Sequence, residues 1–291
     1  MLARSVIALL VWPLMVVAGQ PYSLKVDAPP ALAGVAARVE AMDAEALARA
    51  LARAGLELPP NVHLILVADD HPVAGRTPAW IAGQAFGSDT IVIYPQRIGS
   101  YPYDSLDAVV LHELVHLALN VRARGGTLPR WFHEGVAVSV ESGWGIGSQV
   151  RLLWAAARDP RIDAVAMLFE SGAMPETTTA YLLSAALIED VRRRHGLAVP
   201  GAIAARVAGG DTFELAFARE TGETVNQAAS QAWRVYRGVR WLPIVTSASG
   251  LWGGILVLAG VAFAVRLRRR WQRRRAWEEE ERREQNQPIE W

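Results

Sequence analysis

Short apolar runs dominate the first third of the chain, and longer stretches with apolar residues at helical spacing dominate the rest. Residues Asn61 to Ala68 carry Val62, Leu64, Ile65, Leu66 and Val67, which predicts a strand that Asp69-Asp70-His71-Pro72 ends. Two further short runs, Trp80 to Phe86 and Thr90 to Tyr94, flank Gly87-Ser88-Asp89 and stop at Pro95, a spacing that predicts a hairpin. The alanine-rich segment Val35 to Ala54 predicts a helix. Leu106, Val109, Val110, Leu114, Leu117 and Leu119 predict another, with Asp104 or Ser105 as its cap. Beyond it, helices are expected at Gln149 to Arg158, Ala164 to Phe169, Thr179 to His195, Val199 to Ala208, Thr212 to Arg219 and Thr224 to Arg240. Pro160, Pro175, Pro200, Gly209-Gly210 and Gly222 punctuate them. The expected class is therefore α+β, a small sheet and then a helical lobe, with residues 20–240 long enough to bury a substantial core.

The helical pattern does not account for three polar residues among Val110, Leu111, Leu114, Val115 and Leu117. These are His112, Glu113 and His116, in the order His-Glu-x-x-His. Burying a carboxylate and two imidazoles is costly unless something compensates them, and a metal ion would do so. Residues four apart share a helix face, so both imidazoles can point at one ion, with Glu113 at the edge of that face. The arrangement reads as the zinc site of a metallopeptidase, with Glu113 as the base that takes a proton from water and passes it to the leaving amine. The plain alternative is an amphipathic helix whose histidines cap a pocket or face solvent. The chain has no cysteine, so thiolate ligands and disulfides are both excluded.

A catalytic zinc commonly holds three side chains. The compact metzincin pattern would place a glycine and then a His or Asp shortly after the second histidine, and Leu119 and Arg122 stand there instead. A second helix is expected from Glu134 to about Glu141, after a Gly125-Gly126 turn and Pro129. The two fragments His-Glu-Leu-Val-His-Leu-Ala-Leu and Leu-Pro-Arg-Trp-Phe-His-Glu-Gly-Val-Ala resemble the signatures of the bacterial peptidase MA-like family, which belongs to the gluzincins with thermolysin. That resemblance implies Glu134 as the third ligand of one zinc ion per chain, beside His112 and His116. Adjacent helical side chains diverge by about 100°, so His133 and Glu134 would not both reach one ion. It also implies a gluzincin fold, and a sheet edge at Ala82, Gly83 and Gln84 that binds extended substrate. For Gly83 the plainer reading is a bend. Ala180-Tyr181-Leu182-Leu183-Ser184 resembles the family's Tyr-x-x-Ser helix, which implies Tyr181 as the oxyanion donor; a core tyrosine is the other reading. Where thermolysin has an Asp four residues after the zinc glutamate, this chain has Val138. Support for a ligand histidine then falls to Glu141, Asp107 or a backbone carbonyl. His63 and His195 have no supporting pattern.

The ends of the chain bear on its compartment. Met1 to Gly19 reads as a signal peptide cleaved near Ala18, with an uncleaved anchor as the alternative. From Trp241 to Val265 there are 25 residues without a charge, enough for one transmembrane helix, and seven arginines follow within 266–275. By the positive-inside rule, residues 266–291 are a cytoplasmic tail and residues 20–240 are a periplasmic or otherwise extracytoplasmic domain on a single-pass protein of the bacterial inner membrane. Gln20 to Val265 carries 20 basic and 23 acidic residues, which leaves no basic field for nucleic acid. Gly250-x-x-x-Gly254 is a weak signal for association in the membrane, so a homo-oligomer or an envelope complex remains open. The expected function is a membrane-anchored zinc peptidase acting on extracytoplasmic peptides or unfolded proteins. A catalytically inactive scaffold or chaperone component of an envelope complex is the runner-up.

Overall fold

The computed structural model describes residues 22–99, 105–141, 151–153, 155, 156 and 158–234, and near the C-terminus 255, 256, 258–263, 265, 266 and 268. The expected signal peptide, residues 241–254 of the expected span, the Gly250-x-x-x-Gly254 spacing, Asp104 and the end of the tail lie outside them. Of the span, 255, 256, 258–263 and 265 are helical, and Ile255, Leu256, Leu258, Val261, Phe263 and Val265 are exposed. Among the described residues no helix is long and apolar enough to cross a membrane.

The described strands form one sheet in the order β1 (Ser23–Asp27), β2 (Asn61–Leu66), β4 (Thr90–Ile93), β3 (Gly83–Phe86). The first three run parallel, and β3 is antiparallel to β4. β3 is thus an edge strand. The hairpin and the strand at Asn61 follow the sequence pattern; β1, with Leu24 and Val26 as its only apolar residues, does not emerge from it. The single helix expected over Val35 to Ala54 is two, α1 (Ala33–Glu40) and α2 (Ala44–Ala52). Asp43 breaks it, because its carboxylate accepts the Glu45 amide at 2.9 Å and caps the second helix.

α3 (Leu106–Ala123) begins at Ser105, whose hydroxyl accepts the Ala108 amide at 3.2 Å. One side of α3, with Leu106, Val109, Val110, Leu114 and Leu117, packs on the sheet and α1. The other, with Val115, Ala118, Leu119 and Ala123, packs into a separate core built from helices. A helix apolar on two sides is a buried helix. The polar strip left between, at His112, Glu113, His116 and Asn120, follows the line where the two cores meet.

The helical lobe contains α4 (Arg130–Glu141), α5 (Ile162–Glu170), α6 (Met174–His195), α7 (Val199–Ala208), α8 (Phe213–Thr221) and α9 (Val225–Ala232). α4 starts at Arg130, directly after Pro129, and not at Glu134. α6 takes up Pro175 in its first turn, where a missing amide costs nothing, and so starts five residues before the expected Thr179. The lobe is locked by a close crossing of α4 on α6. A Cβ at Gly135 would lie 2.6 Å from the Ser184 carbonyl oxygen and 2.7 Å from Ile188 Cγ1. Only glycine permits that approach, which sets Tyr181, one turn before Ser184, close to Glu134. The architecture is α+β, one small sheet joined to a larger helical lobe.

Candidate metal centre and cleft

The spacing of His112 and His116 on α3 puts their ring centroids 4.8 Å apart at an interplanar angle of 77°. α4 crosses beside them and delivers Glu134, whose Oε2 lies 3.3 Å from His112 Nε2 and 3.4 Å from His116 Nε2. One donor atom from each residue falls within 4.8 Å of the others. Zinc bonds to nitrogen and carboxylate oxygen of about 2.0–2.2 Å, arranged tetrahedrally, imply donor separations of about 3.3–3.5 Å. Both carboxylate–imidazole separations fall in that range. The donor set is also of the right chemical kind, two imidazoles and a carboxylate, so the residues fit a metal ion.

Two of the three ligand candidates have a partner behind them. Arg130, one turn earlier on α4, places Nε 3.5 Å from Glu134 Oε1, which leaves Oε2 to the histidines. His112 Nδ1 faces Glu141 Oε2 at 3.5 Å, at the outer limit of a hydrogen bond. Of the side chains open on sequence grounds, Glu141 stands beside His112. Asp107, in the first turn of α3, is exposed.

The charges explain how such a group stays buried. Complete burial would push the His112 pKa down, but the carboxylates of Glu134 and Glu141 hold it up to about 10. Burial would raise the Glu134 pKa, and the charge of His116 and the hydrogen bonds from His112 and His116 bring it well below the usual carboxylate range. In the metal-free protein at neutral pH, His112 is therefore an imidazolium, and metal binding must displace its proton. The sign follows: apparent zinc affinity falls as pH falls, by about tenfold per unit below the His112 pKa for each proton released. Calorimetry at pH 7.5 in two buffers of different ionisation enthalpy should report at least one proton released per zinc. Equal heats in the two buffers would rule this out.

Glu113 belongs to the same cluster but not to the donor group. It is buried, and its carboxylate faces β3: a Cβ at Gly83 would lie 2.6 Å from Glu113 Oε1. Gly83 is thus a true close approach of backbone to carboxylate. Burial raises the Glu113 pKa; the charges of His116 and His112 and a hydrogen bond from the Ala85 backbone oppose the rise.

The three residues expected on the substrate edge separate here. Ala82 is fully buried, its carbonyl accepts the Tyr94 amide at 2.8 Å, and it does not line the cleft. Gly83 and Gln84 do line it, together with Ala85. Antiparallel pairing alternates, so with Ala82 bonded to Tyr94, the peptide groups of Gly83 and Ala85 turn away from β4. The outward face of the edge is carried by Gly83 and Ala85, and Ala85 also touches Glu113.

The cleft holds about 400 Å³ between β3 and the helical lobe. Tyr181 enters it from α6, its ring 5.4 Å from that of Phe169. Burial pushes its pKa well above 10, against the opposing charge of Arg130, so the hydroxyl keeps its proton. His133 also lines the cleft, 5.6 Å from His116 between ring centroids, but falls outside the donor group. Burial and the charge of His116 push its pKa down to about 4, which leaves it neutral. His63 pairs with Asp27 at 2.6 Å on the sheet, His195 with Glu223 at 3.2 Å at the end of α6, and neither lines the cleft. Sequence reasoning missed Arg130, Asn120 and Ala85; of these, only Arg130 carried a local signal, four residues before Glu134 on one helix.

Compared with known protein families, curated proteins and solved structures, the chain matches none. Its chemistry is therefore read from the geometry of the centre.

Proposed function

We propose that this protein is a zinc-dependent peptidase of the gluzincin kind, similar to the MA-like peptidases, acting on extended segments of peptides or unfolded proteins. The observation that carries the reading is the placing of Glu113: a buried carboxylate outside the donor group, set between that group and an open strand edge. A purely structural metal site has no use for a fourth, unliganded acid there.

When held by His112, His116 and Glu134, zinc supplies Lewis acidity, lowering the pKa of a water and polarising a carbonyl. The rest of the work falls to the chain. The outward peptide group of Gly83 and the Ala85 carbonyl pair with an extended substrate as an added strand. Glu113 accepts the proton of the attacking water as the new C–O bond forms, then delivers it to the amine nitrogen as the C–N bond breaks. The protonated Tyr181 hydroxyl donates to the developing oxyanion, with Arg130 beside it. Trp80, Ile81 and Leu128 give the cleft apolar walls, which favour an apolar side chain near the cleaved bond.

The test is cleavage of an unbiased mixture of extended peptides by the purified, zinc-loaded full chain, with products identified by mass. Cleavage should vanish with a chelator and return with zinc. A zinc-loaded protein that leaves every peptide intact would count against the reading and favour the scaffold alternative.

The uncharged stretch at 241–265 and its flanking arginines support a single span with the peptidase domain on the outer side. A reporter fused after Glu290 should be cytoplasmic and one fused at Arg240 translocated; the reverse pair would put the domain inside the cell.

A further inference from the structure

Arg97 lies outside the metal centre, in the short turn Pro95–Arg97 that follows β4, and its side chain is only 9% exposed. Its guanidinium draws together a segment that has little regular structure of its own. Nε donates to Asp69 Oδ1 at 2.8 Å and Nη2 to the Ala74 carbonyl at 2.9 Å. Nη1 reaches the carbonyls of Pro78 at 3.1 Å and of Thr77 and Ile81 at 3.4 Å. The same group covers the Tyr94 ring, 4.4 Å from its centroid, and the Tyr94 hydroxyl meets Thr77 Oγ1 at 3.1 Å. A planar fork of five N–H donors can serve acceptors spread this way; the single ammonium of a lysine cannot.

The far end of that segment is the cleft. Trp80 and Ile81 line it, and Ile81, held by Arg97, lies two residues before Gly83, which packs on Glu113. The other end of the hairpin is tied separately. Asn120, one turn beyond His116 on α3, donates to the Gly87 carbonyl at 2.6 Å. The Ala85 backbone is bonded to Glu113 between the two. Of these tethers, the Arg97 cluster is the one that gathers the carbonyls of residues 74–81.

We propose that Arg97 is a positioning residue of the cleft. By clamping residues 74–81 it presents Trp80 and Ile81 as a ready-made apolar wall beside the open strand edge, for an apolar side chain of an extended peptide. The identity of the bound peptide rests on the peptidase reading; the clamp does not. A wall ordered before binding leaves less conformational entropy to be lost when substrate arrives, so its loss should weaken binding more than turnover.

The experiment compares wild type, Arg97→Lys, Arg97→Met and the milder Asp69→Asn, each as the zinc-loaded full chain. Amide hydrogen exchange reads the clamp directly, because the Ala74, Arg76, Thr77 and Ile81 amides all donate to backbone carbonyls within the segment or just before it. Arg97→Met should speed exchange across 74–81 by about tenfold or more while leaving α3 unchanged, with Arg97→Lys and Asp69→Asn falling between. Zinc content should stay at the wild-type level. On a peptide that wild type cleaves next to an apolar residue, KM should rise by about tenfold in Arg97→Met with kcat within about twofold. Unchanged exchange at 74–81, or acceleration spread evenly over the whole domain, would overturn the proposal, as would a fall in kcat at constant KM. If wild type cleaves nothing, the peptidase reading fails, and the exchange pattern alone decides the clamp: localised acceleration supports it, unchanged or uniform exchange refutes it.

Discussion

Glu113→Gln should lower peptide cleavage by about 100- to 10,000-fold, the usual worth of a general base, while the protein keeps its fold and its zinc. Gln has nearly the same shape, and its side-chain oxygen can still take the Ala85 hydrogen bond, so the packing against Gly83 survives. It cannot accept the proton of the attacking water. None of the three donor atoms of the metal group is touched. In the metal-free protein burial raises the Glu113 pKa, and the positive charge of a zinc ion held beside it would oppose that rise. A base must be deprotonated to act, so activity should fall as pH falls through the Glu113 pKa of the zinc-loaded protein. Rates, zinc content and the pH profile are measured together. Cleavage by Glu113→Gln at the wild-type rate would sink the mechanism, because no other unliganded carboxylate lines the described cleft.

Features set by local spacing were legible in the chain, and features set by long-range pairing were not. The i, i+4 histidines, the Ser105 cap and the helix through His116 depend on neighbours within a few turns, and the structure has them in place. Glu134 was reachable only through the resemblance of its surrounding fragment, since nothing local says that α4 will cross α3 at that point. The physical reason for the crossing is Gly135 against Ser184, a contact across 49 positions that composition cannot reveal. The strand edge shows the same limit. A hairpin over residues 80–94 was plain, but which peptide groups turn outward depends on the register of Ala82 with Tyr94, and a shift of one residue exchanges them. Arg97 was invisible for a related reason: its acceptors are backbone carbonyls, which every sequence offers.

Glu134→Ala should abolish high-affinity zinc binding, with an affinity loss beyond the 10- to 100-fold typical of removing a partner behind a ligand. It takes away the carboxylate oxygen shared by both imidazoles and leaves only two donors. It also leaves the Arg130 guanidinium without its counter-charge beside the empty position. His112→Ala and His116→Ala should act as strongly, whereas Arg130→Gln and Glu141→Gln, which remove only supports, should stay within about 10- to 100-fold. The loss reads out as stability as well as stoichiometry. A ligand present at 100 to 1,000 times its dissociation constant stabilises the folded state by about 2.7–4.1 kcal/mol, so wild type should show a clear rise in melting temperature on adding zinc. The three ligand variants should show almost none. His133→Ala is the control that separates adjacent residues, since His133 lines the same cleft but stands outside the donor group. It should keep both its zinc and its thermal shift. A full shift in Glu134→Ala together with none in His133→Ala would move the third ligand to His133 and remove the geometric basis of the centre.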